Sequence, residues 1–262
     1  MNSNHISLRH IFYGLAVFLI MAFQMLPIVV LVVTSFSGES YLSFPPHAFS
    51  TQWYIKFIHN KAFTSSFLIS IELSMATAII SIILGAVTAY AIDRSRFRRL
   101  LTIIFGAPLM IPALIIGFSL LQWFHMLGIG IGKFTLLVGT LVITLPYVIR
   151  GCLSVLYRFN LSLEEAAQTL GCTRLQTFYY ITVPLLRRSL IASGCFAFII
   201  SFSNLAIAIF LSSARVAPLP VRLYSYANFT PDPIIAAIST VTLVMTILFI
   251  LVIEKASHMS DV

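Results

Sequence analysis

Apolar residues fill long runs along this chain, and each run is closed by a short polar, charged or Gly/Pro-rich stretch. A hydrocarbon core takes about 20 apolar residues per helical crossing, and six runs reach that length: 11–34, 65–92, 101–127, 134–156, 189–213 and 233–253. The pattern predicts an all-α polytopic membrane protein with six transmembrane helices, organised as a single transmembrane domain over 1–262. The first run is too long for a signal-peptide core and no small-residue cleavage site follows it closely, so it reads as an uncleaved anchor helix kinked at Pro27. The third contains Pro108 and Pro112 and closes on Gly128-Ile129-Gly130-Ile131-Gly132, which predicts an outer hairpin. The fourth carries Pro146.

The charged residues orient the runs. Asp93-Arg94-Ser95-Arg96-Phe97-Arg98-Arg99 ends the second run, and four arginines are costly to carry across a bilayer, so this end is cytoplasmic. With six crossings the two termini then share the inner side. Arg9, the four arginines at 94–99, Arg150, Arg158, Arg174, Arg187, Arg188 and Lys255 place eleven basic residues inside, against Lys56, Lys61, Lys133, Arg215 and Arg222 outside. The asymmetry supports an N-in, C-in topology.

Composition narrows the function. The 262 residues are 59% hydrophobic and 9% charged with a mean hydropathy of +1.00, whereas soluble chains carry about 25% charged residues. Six crossings leave no room for a large soluble catalytic domain, so no enzyme activity is expected in this chain. The net charge of +8 belongs to the topology and not to nucleic-acid binding. Cys152, Cys172 and Cys195 are odd in number and share no C-x-x-C spacing, so neither disulfide nor metal site is expected. Gly128 to Thr135 resembles a phosphate loop only superficially: Leu127 stands where its first Gly should be, and Phe134 follows Lys133 where a Ser or Thr is needed. The histidines form no metal-binding pair, and no nucleophile elbow is present.

Two of the runs carry polar stripes. In the second, Ser66, Ser70, Ser74, Thr77, Ser81, Gly85 and Thr88 recur at spacings of three and four; in the fifth, Ser193, Ala197, Ser201, Asn204, Ala208 and Ser212 do the same. At about 100° per residue each set occupies one narrow face, where small and hydroxyl residues permit close helix approach and interhelical hydrogen bonds. Glu72 lies about 200° round the wheel from the first stripe. A carboxylate in a membrane run marks either a substrate path or a side chain reaching the outer interface. Ser201 and Asn204 divide similarly between packing and the lining of a path. Glu72, Ser201 and Asn204 are therefore the candidate translocation residues.

Between the fourth and fifth runs, 157–188 is polar. Ser162 is placed to cap a first helix whose opening turn holds Glu164 and Glu165, favoured by the helix dipole. Gly171 is placed to end that helix in the left-handed conformation, Thr173 to cap a second, and Pro184 to mark the turn into the membrane. The reading is a compact helical hairpin on the cytoplasmic side.

The residues of this hairpin resemble a known motif. Glu165-Ala166-Ala167, three residues, Gly171, nine residues, Ile181, two residues and Pro184 match the spacing of the EAA loop of binding-protein-dependent ABC importer permeases, with Val183 where that family often has Leu. Further similarity lies in Phe44-Pro45-Pro46, Phe49, Trp53-Tyr54, Thr144-Leu145-Pro146-Tyr147, Leu219-Pro220-Val221-Arg222 and Asp232-Pro233. Together these look like the spermidine/putrescine-type branch, as the second permease of a heterodimeric pair. The resemblance implies a type I ABC importer permease architecture in a bacterial inner membrane. It also implies partners: a second permease, two copies of a cytosolic ATPase that bind ATP and Mg, and an external or periplasmic substrate-binding protein, with no cofactor in this chain. Glu164, Glu165, Ala166, Ala167, Gly171, Ile181 and Pro184 would then couple the permease to the ATPase, with Glu165 making the polar contact.

One departure bears on substrate. Relatives of the polyamine type often carry acidic residues near Asn204-Leu205, and neither is acidic here. A cation would rely on Glu72 or on aromatic faces. A polyamine leads as substrate, with amino-acid-like, organophosphonate and ferric substrates as alternatives. A stand-alone secondary transporter is the reading from another class, but six crossings with one unmatched hairpin do not divide into inverted repeats.

Overall fold

The computed structural model describes residues 8–158, 160 and 162–258; Leu161 of the hairpin and the side chains of Arg9 and Lys255 lie outside the described residues. The helices are α1 (Leu8–Ser35), α2 (Gln52–His59), α3 (Lys61–Asp93), α4 (Arg98–Gly106), α5 (Ala113–Met126), α6 (Lys133–Leu156), α7 (Ser162–Thr169), α8 (Arg174–Thr177), α9 (Val183–Ser203), α10 (Leu205–Leu211), α11 (Leu219–Phe229) and α12 (Ile234–His258). Among the described residues five helical segments are long and apolar enough to cross a bilayer, and six if one bent pair counts as a single crossing.

Two crossings, the third and the fifth, differ from the pattern expected of them. The third is not one helix: α4 with the 3-10 turn Ala107–Met110 meets α5 at 98°. Pro112 has no N–H to donate and holds Ile111 extended at φ −98°, ψ 132°. The fifth starts earlier than 189, because α8 runs through a π turn at Phe178–Thr182 straight into α9, a helical stretch from Arg174 to Ser203. Pro184 therefore sits within a helix and not at a bend. It directly follows the π turn, in the opening residues of α9. The same crossing stops at Asn204 (φ −75°, ψ 104°), whose Oδ1 accepts from the Ile207 N–H at 2.8 Å and caps α10. By contrast α1 continues through Pro27 and α6 through Pro146.

The two polar stripes form the centre of the unit built from residues 62–225 and 246–262. Ser66, Ser70, Ser74, Thr77 and Ser81 of α3 are all at most 2% exposed. Thr77 pairs with Thr140 at 2.8 Å and Ser81 with Thr144 at 2.9 Å, joining α3 to α6. Ser201 of α9 donates to Thr77 at 3.4 Å, and Ser70 accepts from the Leu219 N–H at 2.7 Å. Such interhelical bonds contribute about 0.6 to 2 kcal/mol each. Beside them the glycines set close approach: a Cβ on Gly85 would lie 2.6 Å from Val148, and one on Gly139 2.7 Å from Ile207. Leu73, Ile116, Phe124, Leu136, Ile143, Ile207 and Leu211 form the apolar core.

The second unit comprises residues 1–61 and 226–245. Trp53 of α2 is buried and donates to the Ser37 carbonyl at 2.8 Å, while Ser35 and Tyr54 share a 2.6 Å bond. Asp232 caps α12 through the Ile234 N–H, accepts from Tyr226 at 2.8 Å and meets Lys56 at 3.4 Å. Burial and the Asp232 carboxylate push the Tyr226 phenol up to about 12, which keeps it a donor.

Candidate functional site

The polar segment after α6 folds as a hairpin whose two arms are held by backbone chemistry. Asn160 accepts from the Ser162 N–H at 3.1 Å. The N–H of Ser162, with which α7 as described begins, is thus held by a side chain two residues earlier. Gly171 takes φ +93°, with the Cys172 N–H bonded to Ala167 O and the Gly171 N–H to Gln168 O, both at 3.0 Å. That double closure satisfies carbonyls left over at the end of α7 and needs a residue without Cβ strain. Thr173 then caps α8 through the Gln176 N–H, and the Gln176 side chain returns a bond to the Thr173 N–H at 2.8 Å.

The two glutamates of α7 part company. Glu165 and Ala166 are exposed, whereas Glu164 is 5% exposed and Ala167 is buried. Glu164 Oε2 meets Arg94 at 2.7 Å and its Oε1 accepts from Thr182 Oγ1 at 2.7 Å. Arg94 also reaches Asp93 at 2.8 Å and lies over the Tyr90 ring, which packs on Phe178 at 4.9 Å. Burial is the largest single influence on Arg94 and lowers its pKa, but the bond and charge of Glu164 together with Tyr90 and Asp93 outweigh it and leave the group above its ordinary value. Sequence spacing alone assigns no role to Arg94, Tyr90 or Thr182; the one available signal is a second glutamate in α7 on the same expected side as the run of arginines that follows α3. Ile181 is half-buried within the π turn and Pro184 exposed at the start of α9.

Outside these contacts the hairpin presents a mixed surface. A cleft of about 390 Å³ lies between Arg94, Glu165, Gln168 and Arg174. Leu163, Leu170, Leu175, Tyr179 and Tyr180 are 50 to 86% exposed on a segment otherwise rich in polar side chains. Exposed apolar groups rimmed by charge at a helical hairpin suit a protein partner.

The translocation candidates do not converge. Ser201 is buried on the stripe and bonded to Thr77, and Asn204 stands at the break between α9 and α10 with its amide oxygen used as a cap. Glu72 is on another face of α3. It lines a cavity of about 260 Å³ with Leu73, Ala76, Phe134 and Val216, and its carboxylate is held by Lys133 at 2.6 Å with both side chains more than half exposed.

Comparison with known proteins agrees with the architecture. Residues 81–255 match the model of the family described as binding-protein-dependent transport system inner membrane component. Over 248 residues, 92% of this chain and 96% of the relative, it is 28% identical to the spermidine/putrescine transport system permease protein PotC of Haemophilus influenzae. Over 238 residues, 87% and 84%, it is 31% identical to the putrescine transport system permease protein PotI of Escherichia coli. Among solved structures, a chain of a bacterial ABC transporter that imports the acidic polysaccharide alginate superposes with TM-score 0.75 at 19% identity, covering 97% of this chain and 98% of that one; at that identity the likeness speaks for the fold. The chain belongs to the binding-protein-dependent transport system inner membrane component family and is an inner-membrane permease subunit of an ABC importer.

Proposed function

We propose that this subunit forms half of a path for a polyamine and is driven through the hairpin by separate ATPase subunits. The observation that carries the coupling half is the hairpin itself: a Gly171-closed pair of arms with Glu165 and Leu170 exposed on a rigid base. In this reading two copies of a cytosolic ATPase hold the ATP and Mg, a second permease completes the path, and a binding protein delivers substrate from outside. The small side chain of exposed Ala166 lets the partner approach closely, while Ala167, expected beside it, is buried and packs within the hairpin. This chain supplies position and motion, and the chemistry of hydrolysis stays with the ATPase.

The polyamine half is supported by the names of the relatives, spermidine/putrescine and putrescine permeases. It requires a cation site without an intramembrane acid at Asn204. The break supplies one physically: the last carbonyls of α9 point into it at the negative end of the helix dipole, and the half-helix ends of broken crossings hold cations in this way in other transporters. Asn204 and Ser201 belong to that path in the proposal, with Glu72 nearer the outer surface.

Asn204→Asp tests it. Aspartate caps a helix as well as asparagine does, so the fold is retained while a full negative charge is added at the break. In proteoliposomes holding the complete complex, spermidine uptake by this variant should show a KM at least threefold lower than wild type, roughly the effect of 0.7 kcal/mol. An unchanged KM with unchanged thermal stability removes Asn204 from the path, and absence of spermidine uptake in the wild type removes polyamine as the substrate.

A further inference from the structure

We infer that Arg94 and Glu164 lock the coupling hairpin to the cytoplasmic end of α3, making α3 and the hairpin one moving body. Both arms are tied to the last turns of α3. On the first arm, Glu164 of α7 takes Arg94 on Oε2. On the second, Thr182 takes the other oxygen of the same carboxylate and Phe178 packs on Tyr90. Both carboxylate oxygens of a nearly buried Glu164 are thereby used, one for the end of α3 and one for the second arm. Arg94 is fixed on its far side by Asp93, whose other oxygen lies 3.6 Å from Arg98. The groups facing Glu164 are thus Arg94, Thr182 and Tyr90, with Arg174 and Glu165 at the rim of the adjoining cleft.

This arrangement bears on how motion crosses the membrane. The hairpin is covalently continuous with α6 and α9 but not with α3, which ends about 70 residues before it in sequence. Without the lock, a pull on the hairpin reaches α3 through the Phe178 to Tyr90 ring contact and through the contacts of α6 and α9 along its stripe. With it, the pull reaches α3 directly at its cytoplasmic end. Alpha3 holds 33 residues, about 50 Å of helix, and so outspans a hydrocarbon core of about 30 Å. Its stripe then carries the displacement to α6 and α9 through Thr77 and Ser81. Arg94 and Glu164 are positioning residues, and the inference rests on the proposal that ATPase subunits act on this hairpin.

A reversible bridge tests it. Arg94 and Glu164 are replaced together by cysteine in a background where Cys152, Cys172 and Cys195 are changed to alanine, and the full complex is reconstituted. Before bridging, ATP hydrolysed per substrate transported should rise at least threefold, because hydrolysis continues while the hairpin slips against α3. Closing the pair with a short bis-thiosulfonate reagent should return that ratio to near the background value, and reductant should raise it again. A merely structural role would lower hydrolysis and transport together and leave the ratio unchanged. If bridging blocks transport, or leaves the ratio raised, in complexes that still retain the ATPase, the lock is overturned. If the wild-type chain retains no ATPase, the coupling reading fails and takes the lock with it.

Discussion

Replacing Gly171 by valine is expected to leave the protein in the membrane and to cut ATP-driven transport by at least tenfold while ATP hydrolysis continues. The reason is conformational. A Cβ at Gly171 meets nothing within 4 Å, so the penalty comes from the backbone alone, which is held at φ +93°. A left-handed conformation costs an ordinary residue about 1 to 2 kcal/mol, and more when the side chain is β-branched. The strain is relieved by opening the turn, which breaks the two bonds that close α7 and swings Glu165 away from its set position. A graded series separates this from loss of bulk packing. Asparagine tolerates the left-handed region best, so Gly171→Asn should retain most activity, Gly171→Ala less and Gly171→Val least. The measurement is substrate uptake and phosphate release from the same proteoliposomes, and equal activity across the series would show that the turn does not transmit force.

Gly85→Ala should act on stability and not on coupling, and by a comparable free energy. The added Cβ would stand 2.6 Å from Val148 Cγ1 and 2.9 Å from Val148 Cβ. Valine in a helix has essentially one rotamer, so the clash cannot be turned aside and α3 must shift from α6. Overpacking of this kind costs about 1 to 3 kcal/mol. Thermal unfolding of the detergent-solubilised chain should fall accordingly, and Val148→Ala in the same chain should recover part of it. At Gly194 the obstruction begins with Ile82 Cδ1 at 2.4 Å, the free end of a longer side chain; Gly194→Ala should therefore destabilise less. The reverse ranking would mean that the α3 to α6 approach is not set by Gly85.

Much of this was legible in the residues, because helix crossing and helix ending are local events. Four of the six runs coincide with single helices whose ends lie within about five residues of the expected positions. The stripe on α3 showed its buried face, and Gly171 and Thr173 announced their turns through conformations and caps that depend on neighbours three to five residues away. Breaks were harder. Pro112 interrupts its crossing while Pro27 and Pro146 do not, so a proline by itself does not say where a helix breaks. Asn204 reads as one more residue of a stripe, and only its backbone torsions turn it into a cap. The Arg94 to Glu164 pair was out of reach for a different reason: its partners are 70 residues apart and meet only once α6 has returned the chain to the same side. Glu72 gave an intramembrane carboxylate but not its neutralising partner, since Lys133 comes to it across a separate turn.

The claim that hangs on most of these observations is that the exposed face of the hairpin receives a separate ATPase. It is tested most directly by isolating the tagged chain from native membranes with wild-type sequence and with Glu165→Arg, and weighing the ATPase recovered with each. Glu165 is exposed and among the described residues its side chain makes no bond within the hairpin, so the substitution should leave the amount and thermal stability of the chain unchanged. The account predicts ATPase in the wild-type sample and at least a tenfold loss with Glu165→Arg; equal recovery from both would contradict it.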